Sequence, residues 1–504
     1  MSKKSEKLNK PNILFIFEDH KAFYGHGRLG NAPEIHKPNY ELVANEGVRF
    51  THSYTASPLC GPARRTILTG VYPHNHGEIK NDTHEPYTYQ MYFDKLAEEG
   101  YKNYYFGKWH AGKGTALDFG CEGFSMPRYG NPYITDEYKQ YLKKNNLPFI
   151  EVEVQKDFRD AISKSLGIKE GELYKPDFLV YSEYITGILT TPKESHEAFF
   201  LANLACEKLR ELANNENGEP FHMRIDFWGP HEPYFASQEY VDMYDPTEIP
   251  EHPNFRDDLK DKPEIYKKDT SGLLSKDKNL IHPNPLPWSE WQKVLAINYA
   301  EQTMIDEAAG MILDTLEELG LADNTVVIWA ADHGDAVGCH GGHFDKDAYM
   351  PQEVIRVPLA IRCPNLIPPG ICDKLVSNVD YPATFLDIAG TSFDSSRDGE
   401  SLLPILTQDE DVEWRDDLFI ETHGHFTTIV GRAIVTDRYK YIWNENYMDE
   451  LYDLQEDPWE LTNLINNEDY NDILDDMKQR LKRWREQTGD NVRFDMIRGR
   501  KLER

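Results

Sequence analysis

In the stretch SPLCGPARRTILTG, Ser57 to Gly70, a cysteine stands directly before a predicted helix. Pro62 supplies the fixed φ of a first helical position and Gly70 the stop just past the end. The unpaired N–H groups and positive end of that helix face whatever Cys60 carries, so the pattern describes an anion site with a potential nucleophile in it. Arg64, one turn in, is placed to steady an oxyanion. The chain has six cysteines, Cys60, Cys121, Cys206, Cys339, Cys363 and Cys372, with no CxxC pair among them. That spacing suits neither a disulfide framework nor a zinc ribbon, and reduced thiols are the expectation. A buried structural thiol is the better reading for Cys121, Cys206, Cys363 and Cys372.

Further ionisable residues follow predicted strands. NILFIF runs into Glu18, Asp19 and His20; YKNYYF into GKWH with Lys108 and His110; RIDFW into GPHEP with His231; TVVIWAA into DHGD with Asp332 and His333. Ligands of open α/β sheets bind beyond the carboxyl ends of the strands. One histidine after a strand is ordinarily a hydrogen-bonded surface residue. Four strands sending ionisable groups to one sheet edge are not explained that way.

The elements that must position these residues alternate between apolar strand runs and helix-period segments, the signature of a mostly parallel sheet with helices on both faces. Residues 242–287, rich in Pro, Asp and Lys, read as a surface excursion, with a substrate lid as the alternative. Past Gly390 the texture changes to short antiparallel strands, LFIETHG, GRAIVTDRYKYIWN and ELYDL, followed by a charged helix over Tyr470 to Gln487. The expected organisation is a catalytic α/β domain over 1–400 and a smaller α+β domain with an antiparallel sheet over 401–504. At 504 residues and 39% apolar content the chain can bury a sizeable core. A formal charge of −31 argues against nucleic acid and anionic membranes as partners. The apolar run Ile13 to Phe17 is too short for a signal-peptide core and no run reaches membrane-spanning length, so a cytoplasmic enzyme is expected.

CGPAR fits the Cys-x-Pro-x-Arg core of the type I sulfatases, and CGPARRTILTGVYPHNHG resembles their longer signature. GKWHAG, GPHEP, ADHGDAVGCHGGHFDK and DRYKYIWN…ELYDLQEDPWELTNL also resemble family segments, in family order, over nearly the whole chain. The resemblance implies the alkaline-phosphatase-like α/β fold with a small C-terminal sheet domain. It also implies hydrolysis of a sulfate monoester, for which a separate maturation enzyme oxidises Cys60 to formylglycine. One hydroxyl of the aldehyde's hydrate attacks sulfur and the other, once deprotonated, expels sulfate, whereas a thiolate would leave an adduct with no easy exit. Asp19, His20, Cys60, Asp332 and His333 are the implied metal shell, His20 standing where the family usually has Asp, Asn or Gln. Calcium is the family's usual ion; two imidazoles would favour manganese or zinc. Lys108 and Lys346 are the implied sulfate-binding lysines, His110 the base in sulfate release, His231 the acid for the leaving alcohol, and Arg64 a support for the diol. Asn81 is either near substrate or an ordinary loop residue, His340 and His343 are expected in structural hydrogen bonds, and Glu18 flanks the metal.

Two rivals accompany this reading. A phosphonate monoester or phosphodiester hydrolase of the same superfamily also uses formylglycine, but carries Tyr and Thr where Lys108 and His110 stand here. An unmatured, non-catalytic carbohydrate-binding relative would have no need for so complete a set of ionisable groups. The expected substrate is a small sulfated sugar or oligosaccharide, with choline sulfate and aryl sulfates as alternatives.

Overall fold

The computed structural model describes residues 10–23, 35–179, 181–214, 218–269, 271–346, 349–408 and 412–497. Its centre is an eight-stranded sheet in the order Gly370–Cys372, Val48–Phe50, Leu359–Arg362, Thr325–Ala331, Asn12–Glu18, Phe221–Asp226, Lys102–Lys108, Glu122–Met126. All neighbours pair in parallel except around Leu359–Arg362, which runs against both of its neighbours.

The strand Asn12–Glu18 is buried throughout, as its unbroken apolar run requires of a strand covered on both faces. Side chains alternate with period two, so Leu14 and Ile16 enter one core while Ile13, Phe15 and Phe17 enter the other. The first core is covered by helices Glu197–Ala213 and Trp288–Glu318, the second by helices Cys60–Thr69, Tyr92–Glu98 and Tyr381–Ile388.

The helix carrying the cysteine begins at Cys60 itself, not at Pro62. Proline is tolerated anywhere in a first turn, where the N–H groups have no partner in the helix, so Pro62 did not mark the boundary. Gly70 closes the helix at φ 70°, donating its N–H to the Thr66 carbonyl at 2.8 Å.

A second, four-stranded sheet (Tyr234–Ser237, Ile185–Leu189, Val152–Asp157, Leu173–Tyr174) was not legible in the sequence. Among the described residues, 242–287 form the 3-10 turns Pro246–Glu248 and Glu264–Lys267, the paired dipeptides Ser275–Lys276 and Asn279–Leu280, and an isolated bridge between Lys268 and Asn279. An antiparallel meander follows near the C-terminus, through Leu418–Thr422, Gly431–Val435, Tyr439–Asn444 and Glu450–Asp453. Helix Asn471–Thr488 lays Leu474, Met477 and Leu481, at helical spacing, against Phe419, Ile434 and Tyr441. Ala56, Tyr72 and Val379 share that core, so the meander is packed onto the segments flanking the cysteine helix.

Candidate active site

Strand register brings the first two acids together. Glu18 pairs with Ala331, so Asp19 and Asp332 leave neighbouring parallel strands side by side. Ligand atoms of Asp19, Cys60, Asp332 and His333 all lie within 4.8 Å of one another, and all four residues are buried. The Cys60 sulfur is 3.0 Å from His333 Nε2 and 3.6 Å from Asp19 Oδ1. His333 Nδ1 lies 2.9 Å from the Gly334 carbonyl; that bond takes its proton and leaves the Nε2 lone pair facing the cluster.

Cations balance these carboxylates. Arg64 donates from Nε to Asp332 Oδ2 at 3.0 Å and from a terminal nitrogen to Asp226 Oδ2 at 2.8 Å and the Lys108 carbonyl at 2.9 Å; another nitrogen lies 3.3 Å from Asp19. Asp332 Oδ1 accepts the backbone N–H groups of His20 and His333, each at 2.9 Å. Lys108 pairs directly with Asp19. Burial pushes the Asp19 pKa up, but Lys108 and then Arg64 outweigh it and hold the carboxyl well below the usual range. Burial, reinforced by Asp19, pushes the Cys60 thiol up to about 12. The unmodified thiol is therefore a protonated group, not an activated nucleophile.

Opposite this floor, Lys346 Nζ lies 3.3 Å from His231 Nε2 and 2.9 Å from Asp345 Oδ1. His231 Nδ1 is 2.7 Å from the Glu232 carbonyl. His110, at φ 43°, packs edge-on against Tyr129 with ring centroids 4.3 Å apart. Burial, then the neighbouring lysines, holds both imidazoles well below the usual histidine range: Lys108 acts on His110, and Lys346 and Lys108 on His231. Asn81 bridges the parts, accepting the Gly61 N–H at 2.9 Å and donating to the Tyr129 hydroxyl at 3.1 Å. It thereby satisfies a first-turn N–H of the cysteine helix. A cavity of about 400 Å³ opens above, lined by Asn81, Tyr129, His231, Lys346 and His425 among others.

His20 follows Asp19, but its ring belongs to a second buried group with His231 and Glu232 and also faces Asp345 at 3.4 Å. Glu18 is engaged by Lys21 at 2.6 Å and Trp329 at 2.8 Å. His340 contacts Glu353 at 3.1 Å, and His343 the Tyr266 carbonyl at 2.7 Å. Tyr129 and Asp226 escaped sequence reasoning. Tyr129 sits in an irregular loop, and Asp226 ends a strand like any surface acid until register sets it beside Phe17 and Gly107. Two carboxylates, a neutral-tautomer imidazole nitrogen and the side chain at position 60 form a donor set that fits a divalent cation.

The family profile for sulfatases matches residues 11–391, and one described as N-sulphoglucosamine sulphohydrolase, C-terminal, matches 338–487. The chain belongs to the sulfatase family. Among curated relatives of this sulfatase is the N-acetylglucosamine-6-O-sulfatase of Bacteroides thetaiotaomicron, 26% identical over 96% of this chain and 88% of the relative. The arylsulfatase of Clostridium perfringens is 29% identical over 93% of each. A solved structure described as bound to its substrate D-glucosamine-2-N,6-O-disulfate superposes with TM-score 0.71, at 23% identity, over 96% of this chain and 99% of that one. The phosphonate monoester hydrolase of Agrobacterium radiobacter shares the same fold, with TM-score 0.73, 23% identity and coverage of 95% and 96%. The protein is a sulfuric ester hydrolase built on the alkaline-phosphatase-like sheet with a smaller antiparallel-sheet part towards its C-terminus. No helix among the described residues is long and apolar enough to cross a membrane.

Proposed function

We propose that the sulfatase removes sulfate from a small sulfated sugar through a formylglycine hydrate made from Cys60 by a maturation enzyme. One observation carries this reading: Cys60 heads a helix and shares a space under 4.8 Å across with Asp19, Asp332 and His333. A divalent ion held by Asp19, Asp332, His333 and the matured side chain at position 60 would polarise the sulfate and the attacking oxygen together. Calcium is the proposed ion, with manganese and zinc as the alternatives an imidazole donor admits. His20 belongs to this shell only by the family resemblance; its ring is turned towards Glu232 and Asp345.

The chain's own groups have distinct tasks. Lys108 and Lys346 hold sulfate oxygens from two sides, and Asn81 lies at the substrate's edge. Arg64 ties Asp19, Asp226 and Asp332 into one rigid floor, supporting the diol through them. His110, kept neutral by burial and Lys108, is ready to accept the hydrate proton whose loss releases sulfate. His231 hands a proton to the leaving alcohol; sulfate charge arriving beside Lys346 offsets the repulsion that keeps its ring neutral beforehand. Sulfated-sugar specificity is supported by relatives named for N-acetylglucosamine sulfate esters. The catalytic unit is assigned to 1–400 and the smaller one to 401–504. The six unpaired cysteines support a cytoplasmic setting.

Mass spectrometry of the Cys60 peptide, from protein co-produced with a maturation enzyme, is expected to show sulfur replaced by oxygen with two hydrogens lost. Cys60→Ala is expected to abolish sulfate release; full turnover by that variant, or by protein with an intact thiol, would sink the mechanism. Comparing 4-nitrophenyl sulfate with matched phosphodiester and phosphonate esters ranks the rival activity, which Lys108 and His110 place second. EDTA treatment followed by re-addition of calcium, manganese or zinc separately identifies the ion by restored turnover.

A further inference from the structure

Lys80 lines the same cavity as Lys346, yet no step assigned above uses it. It is 6% exposed, and its Nζ donates to the Thr428 hydroxyl at 2.6 Å. Among the described residues, no carboxylate lies within ion-pair distance of it. Among the described residues, three of the four acids that line the cavity are engaged elsewhere. Asp345 binds Lys346 and the Tyr184 hydroxyl, Asp160 caps a helix through the N–H groups of Ile162 and Ser163, and Asp82 faces Arg128 at 3.4 Å. Glu232 faces His20 at 3.3 Å and His231 at 3.6 Å. A buried ammonium costs several kcal/mol of lost hydration unless an anion compensates it. In a chain of net charge −31, leaving one unpaired is conspicuous.

Position narrows the missing anion. Lys80 immediately precedes Asn81, which is bonded to the first turn of the cysteine helix. Burial first, then Lys346 and Lys80 acting against Asp345, drives the His425 ring down to about 3. The ring is thus neutral and adds no charge to compete for an anion. Phe426, 51% exposed, packs at a tilt of 39° against His425, with ring centroids 3.8 Å apart, and offers an apolar face at the cavity rim. The cavity is thus lined by two lysines: Lys346, which is paired with Asp345, and Lys80, which has no carboxylate at ion-pair distance among the described residues.

We infer that Lys80, oriented by Thr428, binds a second anionic substituent of the substrate, a sulfate or a carboxylate, so that the preferred ester is a multiply charged sugar. This inference rests on the proposed sulfatase reading and sharpens its substrate class.

The test compares matured wild type with Lys80→Met, Lys80→Gln and Thr428→Val on four esters: 4-nitrophenyl sulfate, a singly sulfated glucosamine, its 2-N,6-O-disulfated counterpart, and a 6-O-sulfated disaccharide carrying a uronate. Lys80→Met and Lys80→Gln are expected to lower kcat/KM roughly 10- to 100-fold on the doubly charged sugars, mainly through KM, and less than about twofold on the singly charged esters. Thr428→Val is expected to give a smaller loss with the same selectivity. Which doubly charged sugar suffers more tells sulfate from carboxylate. Equal losses on all four esters, or none on any, would overturn the inference, provided the variants melt no lower than wild type, as removal of an unpaired buried charge predicts. A wild-type enzyme releasing sulfate from none of the esters would instead remove the reading on which the inference rests.

Discussion

Arg64 shows how much one side chain can hold. Its guanidinium reaches three acids, Asp19, Asp226 and Asp332, and one carbonyl, with almost no exposure. Removing one member of a buried ionic network leaves uncompensated charge and costs about 3–5 kcal/mol. Arg64→Ala is therefore expected to lose about that much in urea unfolding and to lose turnover with it; a loss under about 1 kcal/mol would mean the network does not hold the floor. Cys60 yields a second expectation at this scale. With the thiol fully buried and its pKa pushed up to about 12, protein made without the maturation enzyme is expected to resist iodoacetamide at Cys60 between pH 7 and 9 until urea is added. Rapid labelling of folded protein would show that the helix end activates the thiol after all. The cysteine, its arginine and the strand-end acids were legible because each sits in a short motif whose chemistry depends on local order. Tyr129, Lys80 and Asp226 had no such motif, and only distant neighbours give them a role.

Among elements, the strand Lys102–Lys108 is under the tightest local constraint. Gly107 has φ 123°, and a Cβ there would lie 2.0 Å from the Asp226 carbonyl oxygen on the neighbouring strand. Gly107→Ala is expected to destabilise the protein by about 3 kcal/mol or more, because backbone on both strands must move. The displacement falls between Lys108 and Asp226, so turnover is expected to fall in those molecules that still fold. Near-wild-type melting would show that the strands separate easily. The parallel strands and covering helices were readable from apolar runs and 3.6-residue spacing. The start of the cysteine helix was not, because proline at its third position obeys the same rule as proline at its first. The reversed strand Leu359–Arg362 and the sheet through Val152–Asp157 were also hidden, since an apolar run carries no direction and pairing is decided by distant partners.

For the whole molecule, the joint between the cysteine region and the C-terminal meander is electrostatic as well as apolar. His74 meets Glu421 at 2.7 Å and the Thr488 carbonyl at 3.2 Å, while Arg432 binds Asp490 at 2.7 Å. Burial pulls the His74 pKa down, but the Glu421 charge and hydrogen bond outweigh it, so the folded value lies above the ordinary 6.5. A raised folded pKa contributes stability that is complete below the unfolded value and is lost as pH rises through the folded one. His74→Gln is therefore expected to lower Tm clearly at pH 6, by the equivalent of about 1–2 kcal/mol, and much less at pH 9. A difference that grows with pH would contradict the pairing. Glu421, held well below its usual range by His74 and Arg432 against burial, stays ionised throughout that window.

By itself the sequence determined the chemistry on offer: a cysteine beside a helix start, two lysines, four histidines and a set of acids, most of them following strands, in an order that already resembled sulfatases. It could do so because motifs and periodicity are local, and local order survives in one dimension. Tertiary structure alone decided that Asp19 and Asp332 leave adjacent strands in register, that Arg64 binds them both, that the His20 ring turns towards Glu232, and that Lys80 lines the cavity with no carboxylate among the described residues at ion-pair distance. Those outcomes depend on which distant groups are brought within a few ångströms and cut off from water, since burial and proximity set the strength of every charge in the site.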